Sequence, residues 1–232
     1  MRKNELTFDN IYHVYNRGVE KRKLFMDDAD YQRFVDGLII FNDANPILNP
    51  KQRAKDIKNG DHERNGLVDI LTFCLMPNHF HLLLRQKKEG GITEFMRKLG
   101  VGYANYFNTK HKRVGSLFQG NFKSVLIGEE SQFLYIPFYI HLNPLDLINA
   151  DWQKRGVTDF QKATKFLDAY KWSGHLDYAG KSDLSLILQK DFLKSILGRS
   201  NEYKRDFYSF VNDFNFSDTD TNSKSFIDLA NL

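Results

Sequence analysis

The sequence predicts an α+β, ferredoxin-like fold: an antiparallel sheet of four strands and two helices in the order β-α-β-β-α-β, both helices on one face. Two apolar runs, residues 67–76 and 79–86, are separated only by Pro77-Asn78 and are apolar on both faces, as a central hairpin should be. Aromatic and β-branched runs at residues 11–17 and 122–127 stand on either side of that hairpin. Between strands lie two segments, 28–41 and 93–112, whose apolar residues recur three and four apart.

Each element has its own local cause. Residues 11–17 end at Gly18 and a charged turn. The helix over 28–41 carries Tyr31, Phe34, Val35, Leu38 and Phe41, with Asp27 or Asp28 as N-cap. Residues 44–66 read as an insertion with a short helix capped by Asn49-Pro50 and ending near Gly60. The helix over 93–112 buries Phe95, Leu99, Tyr103, Tyr106 and Phe107, and a turn over 115–120 leads into the strand at 122–127. A further helix is expected over 129–143, stopped by Pro144 and kinked at Pro137 unless it starts there, because proline lacks the amide donor. Helices are then expected over 159–170, 183–197 and 200–214, followed by a polar stretch at 217–225. The resulting organisation is a sheet domain over 1–150, a helical extension over 151–214 and a mobile tail over 215–232.

Composition excludes several classes. A chain of 232 residues with 41% apolar and 27% charged residues can bury a core and is not a disordered polymer. No run approaches the roughly 18 apolar residues of a membrane helix, and the start has no apolar signal core, so a cytoplasmic protein without a membrane partner is expected. Cys74 is the single cysteine and reads as a small buried hydrophobe. Charge is uneven: residues 151–232 are balanced, whereas residues 85–123 hold nine basic side chains against Glu89 and Glu94. Interleaved aromatics make that stretch suited to phosphates and bases, with a solvated helix face as the competing reading. Arg17, Arg97, Lys98, Lys110, Lys112, Arg113 and Lys123 are the candidate nucleic-acid contacts.

The chemistry concentrates at two places. In His79-Phe-His81, residues two apart on a strand point to one face about 6 to 7 Å from each other, a spacing that suits a shared metal ion. In Tyr139-Ile-His-Leu-Asn143, residues four apart on a helix share a face, so a hydroxyl nucleophile and an amide oxygen project together. If that helix packs on the histidine face, an ion has two ring nitrogens, one carbonyl oxygen and open positions for water and a phosphate oxygen. Tyr135, one turn earlier, is a rival nucleophile. His13, His62, His111 and His141 read as structural or surface residues, and Trp172-Ser-Gly-His175 as a packing anchor for the extension.

Taken together, the segments at residues 12–18, 76–83, 115–120, 139–144 and 172–175 (YHVYNRG, MPNHFHLL, GSLFQG, YIHLNP and WSGH) resemble the IS200-like Y1 transposases, and among them the REP-associated tyrosine transposases. The resemblance spans about residues 8–180. It implies an HUH endonuclease in which His79 and His81 form the metal-binding pair, Asn143 the third ligand and Tyr139 the nucleophile. Asn121, where relatives usually carry arginine, and Pro137 depart from the family pattern. The implied activity is cleavage and transfer of single-stranded DNA at or near hairpins through a 5′-phosphotyrosine, with Mg²⁺ or Mn²⁺ as cofactor. A hairpin-binding protein that does not cut, and an RNA-binding module of the same strand order, are the alternatives. The short connection at Gly128 and the long extension favour a monomer over a homodimer.

Overall fold

The computed structural model describes residues 6–47, 49–149 and 152–213. Strands β1 (Ile11–Arg17), β2 (Val68–Met76), β3 (His79–Gln86) and β4 (Lys123–Ile127) form one sheet in the order β2-β3-β1-β4, every pair antiparallel. This is the predicted ferredoxin-like arrangement. Helices α1 (Asp28–Ile40) and α3 (Gly91–Lys110) cover one face through Phe34, whose ring lies 5.0 Å from both Phe80 of β3 and Tyr103 of α3. Alternation along β3 therefore sends Phe80 into this core and leaves His79 and His81 on the opposite face.

Local chemistry explains the element ends. Asp27 caps α1 by accepting from Asp30 N at 3.0 Å. The insertion forms α2 (Pro50–Asn59): Asn49 Oδ1 accepts from Lys51 N and Gln52 N, proline occupies the first turn, and Gly60 ends the helix at φ 78°. Asn42 clamps the base of the insertion, donating to Val68 O and accepting from Leu67 N and Val68 N. Helix α3 starts and stops two residues earlier than its apolar pattern predicts, because Gly90 at φ 67° provides the entry turn.

On the other sheet face lies α4 (Glu130–Leu142), followed by a 3₁₀ turn over Asn143–Leu147. Gln132 Oε1 accepts from the amides of Gly128 and Glu129 and fixes its entry. The helix continues through Pro137 and does not start there; proline inside a helix costs about 3 kcal/mol, and the burial of Ile136, Phe138, Tyr139 and Ile140 offsets it. The extension contains α5 (Trp152–Arg155), α6 (Phe160–Leu167), α7 (His175–Tyr178), α8 (Lys190–Leu197) and α9 (Ser200–Asp213). The expected long helix over 183–197 is only α8, since residues before it run beside β2, where Gln189 N donates to Ile70 O at 2.9 Å. Leu75 N to Trp172 O and Gly174 N to Phe73 O, both 2.9 Å, close the same edge, so β2 has no exposed ladder and is buried throughout. The polar stretch 217–225 and the expected tail over 215–232 lie outside the described residues.

A chain of buried hydrogen bonds ties this extension to α4. Asp168 accepts from His175 Nε2 at 3.1 Å, which leaves His175 Nδ1 to accept from the Tyr203 hydroxyl at 2.7 Å. The Tyr203 oxygen accepts in turn from His141 Nδ1 at 2.8 Å, and His141 Nε2 accepts from Thr72 Oγ1 at 2.6 Å. Gly174 is required beside it, because a Cβ there would collide with Thr72 Oγ1. Tyr203→Phe removes the middle of the chain and strands two buried imidazole nitrogens, so a loss of about 2 to 4 kcal/mol is expected from denaturant unfolding. A loss below roughly 0.5 kcal/mol, the scale of an ordinary surface change, would mean that the chain does not form.

Candidate active site

Strand β3 presents His79 and His81 on the face that α4 covers, with ring centroids 4.9 Å apart. Across the ladder, Arg17 stands opposite His79 and Tyr15 opposite His81; on the far side of β1, Lys123 stands opposite Tyr15. His79 Nδ1 lies 2.8 Å from Asn78 Oδ1, and His81 Nδ1 lies 2.9 Å from His13 Nε2, while buried His81 Nε2 has no hydrogen-bond partner. Helix α4 brings Tyr139 over this pair, its ring 6.2 Å from both His81 and His13, with the buried hydroxyl also without a partner. Asn143 donates through Nδ2 to Tyr139 O at 2.8 Å and Ile140 O at 3.4 Å, so its oxygen is the group left to meet His79, with which its side chain interacts. The four residues singled out in the sequence thus converge within one chain. Tyr135 stacks on Tyr139 at 5.9 Å and meets Phe210 on its other side, one turn farther from the histidines.

Burial sets the electrostatics. Desolvation lowers His13 to about 3 and His79 to about 4, and holds His81 well below the ordinary imidazole value; Asn143 partly opposes the shift at His79, and Arg17 adds to it. All three rings are therefore neutral near pH 7, with lone pairs available. Burial raises Tyr139 above the usual phenol range, and pushes Tyr15 up to about 12. Asp146, raised by burial to about 6 and hydrogen-bonded by Trp152 Nε1 at 2.5 Å, adds negative charge near Tyr139.

These residues fit a divalent cation. His81 Nε2 is buried without a hydrogen-bond partner, and a neutral His79 has one proton for two facing oxygens, Asn78 Oδ1 and that of Asn143. Among the described residues no three His, Cys, Asp or Glu side chains gather as a metal cluster, so the third donor in reach is the amide oxygen of Asn143. Neutral ligands leave the charge of a cation available to a phosphate. Solvent reaches the site at half-buried His79, whereas His81, Tyr139 and Asn143 are buried, so the expected open positions are limited to the His79 side.

The basic residues divide. Arg17, held by Gln119 Oε1, and exposed Lys123, 6.0 Å from the Tyr15 ring, share the histidine face. Lys112 is exposed in the loop after α3, and Arg97 lines a cleft of about 850 Å³ with Phe80, Phe118 and Phe122 on the opposite face. Lys98 pairs with Glu94 and donates to Asp43 O, Lys110 pairs with Asp27 and Asp30, and Arg113 binds Asn108 and Ser116 O. Lys98 and Lys110 spend their charge inside the fold, and Arg113 is held by neutral acceptors. Sequence reasoning missed His13, although its two-residue alternation with Tyr15 and Arg17 marks it as a member of the same strand face.

Because these histidines are neutral when folded and take up protons near pH 6.5 when unfolded, their contribution to stability is present above that pH and declines as pH falls toward the folded values. The denaturant midpoint of metal-free protein is expected to drop between pH 7 and pH 5. A flat midpoint over that window would contradict neutral buried rings.

The family model for IS200-like transposases matches residues 46–143. A solved structure of the REP-associated tyrosine transposase bound to a REP hairpin shares the fold over 82% of this chain and 91% of its own, at TM-score 0.50 and 12% identity. A second, from Deinococcus radiodurans R1 and provisionally described as a transposase, aligns over 60% of this chain and 95% of its own, at TM-score 0.33 and 19% identity. No curated protein sequence matches significantly. The matched segment holds His79, His81, Tyr139 and Asn143 together, so residues 46–143 are similar to the IS200-like transposases, and the four-stranded fold is shared with the REP-associated structure.

Proposed function

We propose that this chain is a divalent-metal-dependent endonuclease and strand transferase for single-stranded DNA, acting at or beside hairpins through a covalent 5′-phosphotyrosine. The observation that carries the reading is the approach of Tyr139, on α4, and of Asn143, just past its C-terminal end, to the two histidines of β3 within a single chain. The hairpin as substrate is taken from the fold relative solved with a REP hairpin. Cleavage is a transesterification: the Tyr139 oxygen bonds to phosphorus, the P–O3′ bond breaks, and the phenolic proton is passed to solvent while the leaving oxygen becomes a 3′-hydroxyl. His79, His81 and Asn143 would hold Mg²⁺ or Mn²⁺, which when bound polarises the phosphoryl oxygens and offsets charge in the transition state. Arg17 and Lys123 flank the histidines and supply phosphate contacts on the same face. The site assembled in cis supports a monomer as the working unit.

Burial of the Tyr139 hydroxyl favours one second reading, a protein that grips hairpins without cutting them. Incubation with labelled single-stranded hairpins and Mn²⁺ separates the two. A covalent adduct is expected on Tyr139, lost in Tyr139→Phe with hairpin binding retained; binding without any adduct would establish the second reading, and an adduct on Tyr135 would reassign the nucleophile. Replacing Arg17, Lys112 and Lys123 by alanine is expected to flatten log K against log salt by about 0.7 per lost single-strand contact. Neutralising Lys98, Lys110 and Arg113 instead is expected to leave the slope unchanged, and a larger change there would place the DNA on α3.

A further inference from the structure

We infer that His13 is a positioning residue that presets the tautomer of His81, so that His81 offers the lone pair of Nε2 to a metal ion; the inference rests on the metal-dependent reading above. His13 is fully buried, its ring is within 18° of parallel to that of His81 with centroids 5.0 Å apart, and its Nε2 meets His81 Nδ1 edge to edge at 2.9 Å. Two neutral imidazoles joined in this way share one proton, and its owner decides what the far side of His81 is. With the proton on His81 Nδ1, His13 accepts it and His81 Nε2 is a free lone pair. With the proton on His13 Nε2, the His81 proton moves to Nε2 and closes the ligand position; each state leaves one buried N–H without a partner, His13 Nδ1–H in the first and His81 Nε2–H in the second, and a cation at His81 Nε2 selects the first.

The neighbouring histidine shows the same arrangement. His79 is met at Nδ1 by Asn78 Oδ1 at 2.8 Å, and an amide oxygen only accepts, so this contact draws the single His79 proton to Nδ1 in competition with the Asn143 oxygen. Both rings are thus held by a partner at Nδ1 with Nε2 left for a ligand, the pattern in which an outer hydrogen bond fixes orientation and basicity of a metal-binding histidine. Asn78 sits in the hairpin turn next to its histidine, whereas His13 is supplied by β1 through the register that pairs Tyr15 with His81. Partner loss in this role typically costs 10- to 100-fold in metal affinity.

The experiment compares wild type, His13→Phe, His13→Gln, His13→Asn and His81→Ala for Mn²⁺ affinity by titration and for the His81 ring by ¹⁵N NMR without metal. Glutamine places an acceptor near the position of Nε2, whereas asparagine reaches only that of Nδ1 and phenylalanine offers none. Wild-type His81 is expected with Nδ1 protonated and Nε2 bare; Mn²⁺ affinity should fall roughly 10-fold or more in His13→Phe and His13→Asn and recover to within about threefold in His13→Gln. The reverse tautomer in the wild type, or affinity losses that follow thermal midpoints without rescue by glutamine, would overturn the role of His13. Unchanged affinity in His81→Ala, or no Mn²⁺ binding by the wild type, would instead remove the metal-site reading beneath it.

Discussion

Packing of α4 onto the face of β2 and β3 is the constraint on which the site depends, because it alone turns two unremarkable sequence spacings into one cluster. Alternation on β3 places both histidines on the face away from α1 and α3, and that face is empty until α4 covers it. The helix is nearly all apolar and contains a proline, so no amphipathic stripe of its own orients it. Its orientation comes from contacts around it: Phe138 against Tyr203 and Phe207, and His141 against Thr72 and Tyr203. A rotation of one residue, about 100°, would carry Tyr139 away from His81.

The extension therefore bears on the candidate chemistry without touching it. Polar side chains in a dry interior are costly unless each donor meets an acceptor, and the run from Thr72 through His141, Tyr203 and His175 to Asp168 satisfies one after another. Its directionality follows from the carboxylate at one end, which only accepts. Beside it, the cluster at His13, His81 and Tyr139 retains unpartnered atoms. Unsatisfied polar groups that persist in a core call for an explanation, and the cation proposed here supplies one.

Charge was divided by folding in a way that local density does not reveal. The basic stretch in and after α3 includes residues that neutralise Asp27, Asp30 and Glu94 and hold the helix against α1, whereas Arg17 and Lys123 come from different strands and meet beside the histidines. Cross-strand register, not sequence clustering, selects which cations face a substrate on the candidate site's side.

The fold was legible in the sequence because each element carries a local signal: the Pro77-Asn78 hairpin, the caps at Asp27 and Asn49, and apolar repeats on α1 and α3. Tyr139 with Asn143 and His79 with His81 were legible for the same reason, since helical and strand periods fix which neighbours share a face. The passage of α4 through Pro137, the shortening of the helix before α8, and the short helices α5 and α7 were not, because burial against β2 and α4 overrides local propensity there. Only the tertiary structure decided that His13 meets His81, that His141 and His175 share Tyr203, and that Lys110 is spent on Asp27 and Asp30. Each of these joins residues separated along the chain, and such pairings depend on strand register and layer packing, which no local period encodes.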